Sequence, residues 1–346
     1  LVYGPASDRL GRRRVLLAGL AVATLGSALA ALAPSLWLLV AARALQGAGA
    51  AAGMVIGRAL VQDFFQGPER TRVLAYVGMA MGVMPPTATL LGGQLHVHLG
   101  WQANFVLSTL LAAGLWLAAW RGLAPDVPAG RGGVASAWRE AAAAYARLAR
   151  EPAFARFVLV MAMATATFYA FLGGAPLVLR RWGVGPEGVG LYIMCVPLSY
   201  IVGNFLTTRW VRRAGEARIM AWGQGLTLAG AALIPGLALA GIDHALALAL
   251  PLLVLGLGHG LLVPPALAGS VGLMPALAGA AAAVAGVAQQ LLGAAGGWAV
   301  GLLDHRHGAL PLGLLMLALA GAGAVAQLGL HRPGAAATGR PTLDRR

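Results

Sequence analysis

Ten stretches of this chain run for about 20 residues with almost no charge. They lie at 15–33, 36–61, 73–95, 102–120, 155–178, 188–208, 219–240, 245–267, 277–303 and 309–330. That length matches the hydrocarbon thickness of a bilayer, where each backbone N–H and C=O must be satisfied within the protein. Only helices and closed barrels do this. The runs are too long and too continuous to alternate as barrel strands, so they are read as helices. The expected fold class is an all-α integral membrane protein. Composition agrees: 59% of the 346 residues are hydrophobic and 10% charged, against about 25% charged in a soluble domain. The 50 glycines show no three-residue period, so they point to close helix approach rather than collagen. A single cysteine, Cys195, leaves no intrachain disulfide and no thiolate metal site to expect.

A net charge of +14 raises the question of nucleic acid. The arginines, however, lie between the apolar runs, and we read them as topology signals with no nucleic-acid partner. With the loop at 4–14 placed in the cytoplasm, 20 of the 25 arginines fall on the cytoplasmic side and 3 on the outer side, with Arg43 and Arg58 inside a run. This obeys the positive-inside rule. The central linker and the C-terminal tail are then cytoplasmic too.

Residues 121–154 form a polar linker containing a helical-looking segment, "SAWREAAAAYARLAR". It leaves four apolar runs before it and six after. "DRLGRRR" (8–14) also has an echo in "RRAGEAR" (212–218), 204 residues on, sharing Arg9/Arg213, Gly11/Gly215 and Arg14/Arg218. Parallel six-helix repeats are a transporter design. The expected organisation is an N-terminal bundle (1–120), a cytoplasmic linker (121–154), a C-terminal bundle (155–330) and a cytoplasmic tail (331–346). In this reading Leu1–Tyr3 close a second helix, and the first two helices of a twelve-helix protein are missing, leaving about ten.

Arg43 lies about 10 Å inside its run at 1.5 Å per residue. A charge at that depth is costly, so it must face a cavity, meet a carboxylate or snorkel to the surface. None of the eleven acids lies at depth in a run. Arg58 and Asp63 are five residues apart, a poor spacing for a pair along one helix face, so each is expected to serve another partner. His259 is the one histidine well inside a run. It is either a titrating group or a buried histidine at a glycine-rich helix crossing. Gln46, Asn204, Gln224, Gln289 and Gln290 are the polar residues left inside runs. Gln289 and Gln290 are adjacent and are not expected to face one direction. Phe168, Tyr169, Phe171, Tyr192 and Tyr200 are candidates for an aromatic wall around a lipophilic cation or drug. Gly92 and Gly93 read as close-packing residues, and Pro85 and Pro86 as a kink.

"GPASDRLGRRR", with Gly4, Asp8, Arg9, Gly11, Arg12 and Arg13, resembles the loop signature of the major facilitator superfamily. Within it, "RALQGAG" (43–49), "RALVQDFF" (58–65), "FYAFLGGAP" (168–176) and the pair Gly203–Asn204 resemble the Bcr/CflA drug:proton antiporters. The antiporter motif of that group keeps its glycine pair here in "ATLLGG" (88–93), with its proline displaced to Pro85 and Pro86. The resemblance implies two six-helix bundles and a cytoplasmic gate made by Gly4, Asp8, Arg9, Gly11, Arg12, Arg13, Arg58 and Asp63. In that gate Gly4 permits close helix approach, Gly11 permits a tight turn, and Asp8, Arg12 and Asp63 form a charge relay. It also implies a proton-coupling region at Arg43, Gln46 and His259, with the proton-carrying acid on the absent first helix. A substrate cavity is placed at Phe168, Tyr169, Phe171, Tyr192, Tyr200 and Asn204, and an antiporter-like kink at Pro85, Gly92 and Gly93.

The expected function is proton-coupled export of small amphipathic compounds by alternating access, from a bacterial-type inner membrane. The expected partners are a lipophilic small-molecule substrate, protons and the lipid bilayer. The protein is expected to act as a monomer, with no cofactor, the proton gradient supplying the energy. Sugar or organic-acid uptake on the same fold, or a transport-incompetent sensor or scaffold, are the alternatives. No phosphate loop, metal-ligand cluster or paired acids suggest an enzyme.

Overall fold

The computed structural model of the chain describes residues 2–65, 73, 77, 80, 84, 87, 88, 90–125, 134–274, 277–303 and 308–331. Among them the ordered elements are helices, and no strand occurs. They are α1 (Tyr3–Leu10), α2 (Arg12–Ala31), α3 (Leu36–Phe64), α4 (90–99), α5 (Gln102–Gly122), α6 (Val134–Ala149), α7 (Pro152–Arg181), α8 (Pro186–Ile193), α9 (Cys195–Ala214), α10 (Glu216–Leu239), α11 (Ala245–Gly272), α12 (Ala278–Val300) and α13 (Leu310–Leu328). Nine spans among the described residues are long and apolar enough to cross a membrane, α8 and α9 together making one. Nearly half of the remaining predicted run, 73–95, lies outside the described residues, including Pro85 and Pro86.

Helix ends follow local chemistry. Ser35 caps α3 by accepting from the Leu38 N–H, and the Glu151 carboxylate accepts from the Ala153 N–H ahead of Pro152 at the start of α7. The run 188–208 is one predicted helix but two observed ones, broken at Met194. Pro197 explains the break, because its missing N–H leaves the Ile193 carbonyl without its helical donor. The linker segment does form a helix, α6, and its Leu148 is fully buried among residues such as Phe154, Val158 and Met161.

Two compact units form, Leu1–Ala142 and Ala143–Arg346. In the first, α2 packs on α3 and α5, with α1 across α2 and α3. In the second, α11 lies against α9, α10 and α7, while α7 also packs on α12 and α13.

The internal repeat is visible at atomic detail. Gly11 (φ 100°, ψ 140°) joins α1 to α2, and Gly215 (φ 81°, ψ 154°) joins α9 to α10. Both occupy backbone space that residues with a Cβ avoid. The following helix crossings match as well. A Cβ on Gly49 would lie 2.2 Å from the Ala23 nitrogen and 2.5 Å from the Gly19 carbonyl oxygen. A Cβ on Gly258 would lie 2.6 Å from the Thr227 nitrogen and 2.7 Å from the Gly223 carbonyl oxygen. The 204-residue offset thus carries Gly19 and Ala23 of α2 onto Gly223 and Thr227 of α10. Gly4 does not follow this logic, since a Cβ there would meet nothing within 4 Å. Its expected role in close approach is therefore not what the described neighbours show.

In the second unit the core has two apolar clusters, one around Phe171, Leu248, Leu252 and Leu312, the other around Met161, Met220, Leu262 and Ala266. Between them along the chain lie Thr167 of α7, Gln224 and Thr227 of α10 and His259 of α11, all buried.

Candidate functional site

Three groups of the sequence-predicted residues are brought together by the fold. The first lies where α1, α2 and α3 meet. The Arg12 Nε donates to Asp63 Oδ2 at 2.9 Å. Its Nη1 donates to Ser7 Oγ at 2.7 Å, and that hydroxyl donates on to the Gly4 carbonyl at 3.0 Å. Arg13 donates to the Trp120 carbonyl at 2.6 Å, tying α2 to the end of α5. The Tyr3 hydroxyl donates to the Ala48 carbonyl at 2.8 Å, tying α1 to α3. The electrostatics are reciprocal. Asp63, in the last turn of α3, is brought to the N-terminus of α2, where an anion is favoured. Arg12, in the first turn of α2, is brought to the C-terminus of α3, where a cation is favoured. The separation of Arg58 from Asp63 in sequence agrees with this, because Asp63 bonds across helices. The side chains of Asp8 and Arg58 lie outside the described residues, and Arg9 is half-buried in the same region.

The second group is built on α3 at depth. The Arg43 Nη1 donates to Gln46 Oε1, one helical turn on. The Gln46 Nε2 donates to Ser27 Oγ of α2 at 2.7 Å, and the Ser27 hydroxyl donates to the Ala23 carbonyl at 2.8 Å. The Arg43 Cζ stands 5.6 Å from the Phe105 ring centroid of α5. Among the described residues no carboxylate bonds Arg43. The guanidinium is held by an amide oxygen and an aromatic face, its side chain remaining exposed.

The third group is in the second unit. The Tyr169 hydroxyl donates to Gln290 Oε1 at 3.0 Å, and the Gln289 Nε2 donates to Thr165 Oγ1 at 3.3 Å. The two adjacent glutamines thus both reach α7, contrary to expectation. Their long side chains straddle the α7–α12 contact made close by Gly293 and Gly296. Phe168 lies 6.0 Å from Tyr169 and 6.3 Å from Phe171 between ring centroids. Phe171 is fully buried in the core, so its ring packs rather than lines a space. Phe168 and Tyr192 rest partly buried against the same core. Tyr200 and Asn204 pack beside Gly260 of α11, and the Asn204 Nδ2 donates to the Tyr200 carbonyl at 2.9 Å.

His259 stands on the buried stripe Leu248, Leu252, Leu255, His259, Leu262, Ala266 of α11. Its Nε2 has no hydrogen-bond partner among the described residues, and neither has Gln224 Oε1. The Gln224 Nε2 donates to the Ala320 carbonyl at 3.0 Å, which fixes Oε1 as the free acceptor. Gly223 and Gly258, the residues just before Gln224 and His259, face each other across antiparallel helices. Both polar residues therefore turn to the same side of the α10–α11 pair. Arg43 and His259, grouped by sequence reasoning, belong to different units. In the helix 4–5 region, the Asn104 Nδ2 donates to the Gly92 carbonyl at 3.3 Å, whereas nothing lies within 4 Å of a Cβ on Gly93. Ser7, Ser27, Phe105 and Trp120 escaped the sequence reading. Ser7 sits at a variable position of the loop signature, and the others are ordinary residues of apolar runs until helix packing brings them to an arginine or glutamine.

The sequence profile of the Major Facilitator Superfamily matches residues 1–297. The chain belongs to that superfamily. Its helical spans and paired repeat turns are those of a membrane transporter of this fold. A chloramphenicol resistance protein of Pseudomonas aeruginosa is 30% identical over 92% of this chain and 75% of its own length. Multidrug resistance protein D of Escherichia coli (strain K12) is 29% identical over 84% of this chain and 72% of its own length. The multidrug transporter MdfA of Yersinia pestis bv. Antiqua (strain Angola) is 27% identical over 68% of this chain and 57% of its own length. As a major facilitator, the chain is a multi-span membrane transporter with drug-efflux relatives.

Proposed function

We propose that this transporter exports small amphipathic, lipophilic compounds from a bacterial inner membrane in exchange for protons. The cycle is alternating access, with the segment 4–14, the linker and the tail on the cytoplasmic face. The observation that carries the reading is the Arg43–Gln46–Ser27 chain beside Phe105. A fixed cation at membrane depth, placed without a local acid, depresses the pKa of any carboxylate brought to it and so makes that carboxylate responsive to the proton gradient. Two relatives named for chloramphenicol or multidrug resistance and one named a multidrug transporter support the substrate class. Arg12 and Asp63 serve as a cytoplasmic latch whose ion pair holds α1, α2 and α3 together in one conformation. No cofactor takes part, and the protein acts as a monomer.

The test is efflux of ethidium and of chloramphenicol from an efflux-deficient bacterial strain expressing the protein, with and without a protonophore. Protonophore-sensitive extrusion of both supports the reading. Accumulation identical to that of cells without the protein, when the protein is present in the membrane, defeats it.

A further inference from the structure

The shared end of α9 and α10 carries a feature to which the transport reading above assigns no role. α9 packs chiefly on α11, α10 packs on α11 and α13, and the two barely touch each other beyond the Gly215 turn. A cleft of about 390 Å³ opens between their ends, lined by Trp210, Arg213, Ala214 and Trp222. The two indoles meet edge to face, with centroids 6.3 Å apart at 86°. Both stay exposed, at 42% and 49%. This places two tryptophans and an arginine where the spans Gly188–Ala214 and Glu216–Leu239 leave the membrane together, the depth at which tryptophan is enriched.

The charge is one-sided. Residues 209–218 hold Arg209, Arg212, Arg213 and Arg218 against Glu216 alone. Arg209 is folded onto Phe205, 4.7 Å from its ring centroid. Arg213 is exposed, with no hydrogen bond or ion pair to a described residue. Below the cleft, Leu198, Ile201, Val202 and Phe205 form an exposed apolar stripe along α9 at helical spacing.

We propose that this cleft is a binding site for one anionic glycerophospholipid. Arg213 takes the phosphodiester, the indole pair covers the glycerol-ester region, and an acyl chain follows the α9 stripe. An isolated phosphate has no use for the indoles or the stripe, and a zwitterionic lipid leaves the excess cationic charge unanswered.

Native mass spectrometry of the purified full chain, released from mixed phosphatidylglycerol and phosphatidylcholine micelles, tests this. The wild-type protein should retain phosphatidylglycerol preferentially. Arg213→Gln should reduce that retention roughly fivefold and leave phosphatidylcholine unchanged, while Arg213→Lys keeps most of the preference. Arg180→Gln, in a second cleft of this unit, should have no effect. Equal retention of the two lipids by wild type overturns the proposal, as does wild-type phosphatidylglycerol retention by Arg213→Gln. Displacement of the lipid by excess inorganic phosphate would show a simple anion site and overturns it too. Thermal unfolding in detergent checks that the variants are folded. None of these readouts depends on efflux, so a failure here leaves the transport reading untouched.

Discussion

At the scale of single residues, the chemistry is concentrated in a few cross-helix bonds. Arg43 was legible in the sequence as a charge needing an explanation, because its depth follows from counting along an apolar run. What satisfies it was not legible, since Ser27 and Phe105 are distant in sequence and unremarkable in type. A hydrogen bond to a charged group is worth about 1.5–3 kcal/mol. Arg43→Ala is therefore expected to lower protonophore-sensitive efflux roughly 10- to 100-fold with normal membrane insertion, read by transport assay and immunoblot. Normal efflux by that variant would remove Arg43 from the mechanism. The Arg12–Asp63 pair is partly exposed, at 27% and 47%, so its contribution to stability is expected to be below about 1 kcal/mol. Asp63→Asn should leave the unfolding temperature nearly unchanged and still impair efflux, because a latch acts on the balance between conformations. His259 argues the other way. A buried polar atom without a partner costs about 1–3 kcal/mol, so His259→Leu is expected to be neutral or stabilising in thermal unfolding, with efflux retained. Loss of efflux in that variant would instead make the imidazole a working group.

Among the helices, the glycines that matter are those at crossings, and sequence could not tell them from the rest. Gly225 and Gly258 both stand in membrane helices, yet a Cβ at 225 meets nothing within 4 Å and one at 258 meets backbone and side-chain atoms of Thr227 at 2.6 and 2.7 Å. Gly258→Val should destabilise the second unit by about 1–3 kcal/mol or more, whereas Gly225→Val should cost little. Thermal unfolding of the two variants in the same detergent gives the comparison, and equal melting temperatures would contradict the crossing geometry. The weak "DRLGRRR"/"RRAGEAR" echo proved to mark a real repeat because its shared glycine is a backbone requirement, with positive φ at Gly11 and Gly215 alike. The repeat also shows where the halves diverge. With the α2–α3 crossing aligned on the α10–α11 crossing through Gly49 and Gly258, Arg43 and Gln46 of α3 correspond to Leu252 and Leu255 of α11, both fully buried. The polar chain is therefore a property of the first unit only.

For the molecule as a whole, orientation rests on the arginine distribution and has its own test. In a Cys195→Ser background, an impermeant maleimide should label Ile242→Cys in intact cells and Ala217→Cys only after permeabilisation. The opposite pattern would invert the topology proposed above. The all-helical class and the nine spans found among the described residues were legible in the sequence itself, because lipid leaves an apolar run of about 20 residues few options but a helix. The same one-dimensional pattern placed Arg43 and the repeat, but it read residues 4–14 as a loop where α1 continues from Tyr3 to Leu10 and only Gly11 separates it from α2. Tertiary structure alone decided which polar groups meet: Arg12 with Asp63 and Ser7, Gln46 with Ser27, Gln289 and Gln290 both with α7. It also buried Phe171, left His259 Nε2 without a hydrogen-bond partner among the described residues, and opened the Trp210–Arg213–Trp222 cleft. Hydrophobicity is a property of each residue and can be summed along a chain. A contact depends on the rotation and crossing of two helices, which the glycines of both helices set jointly.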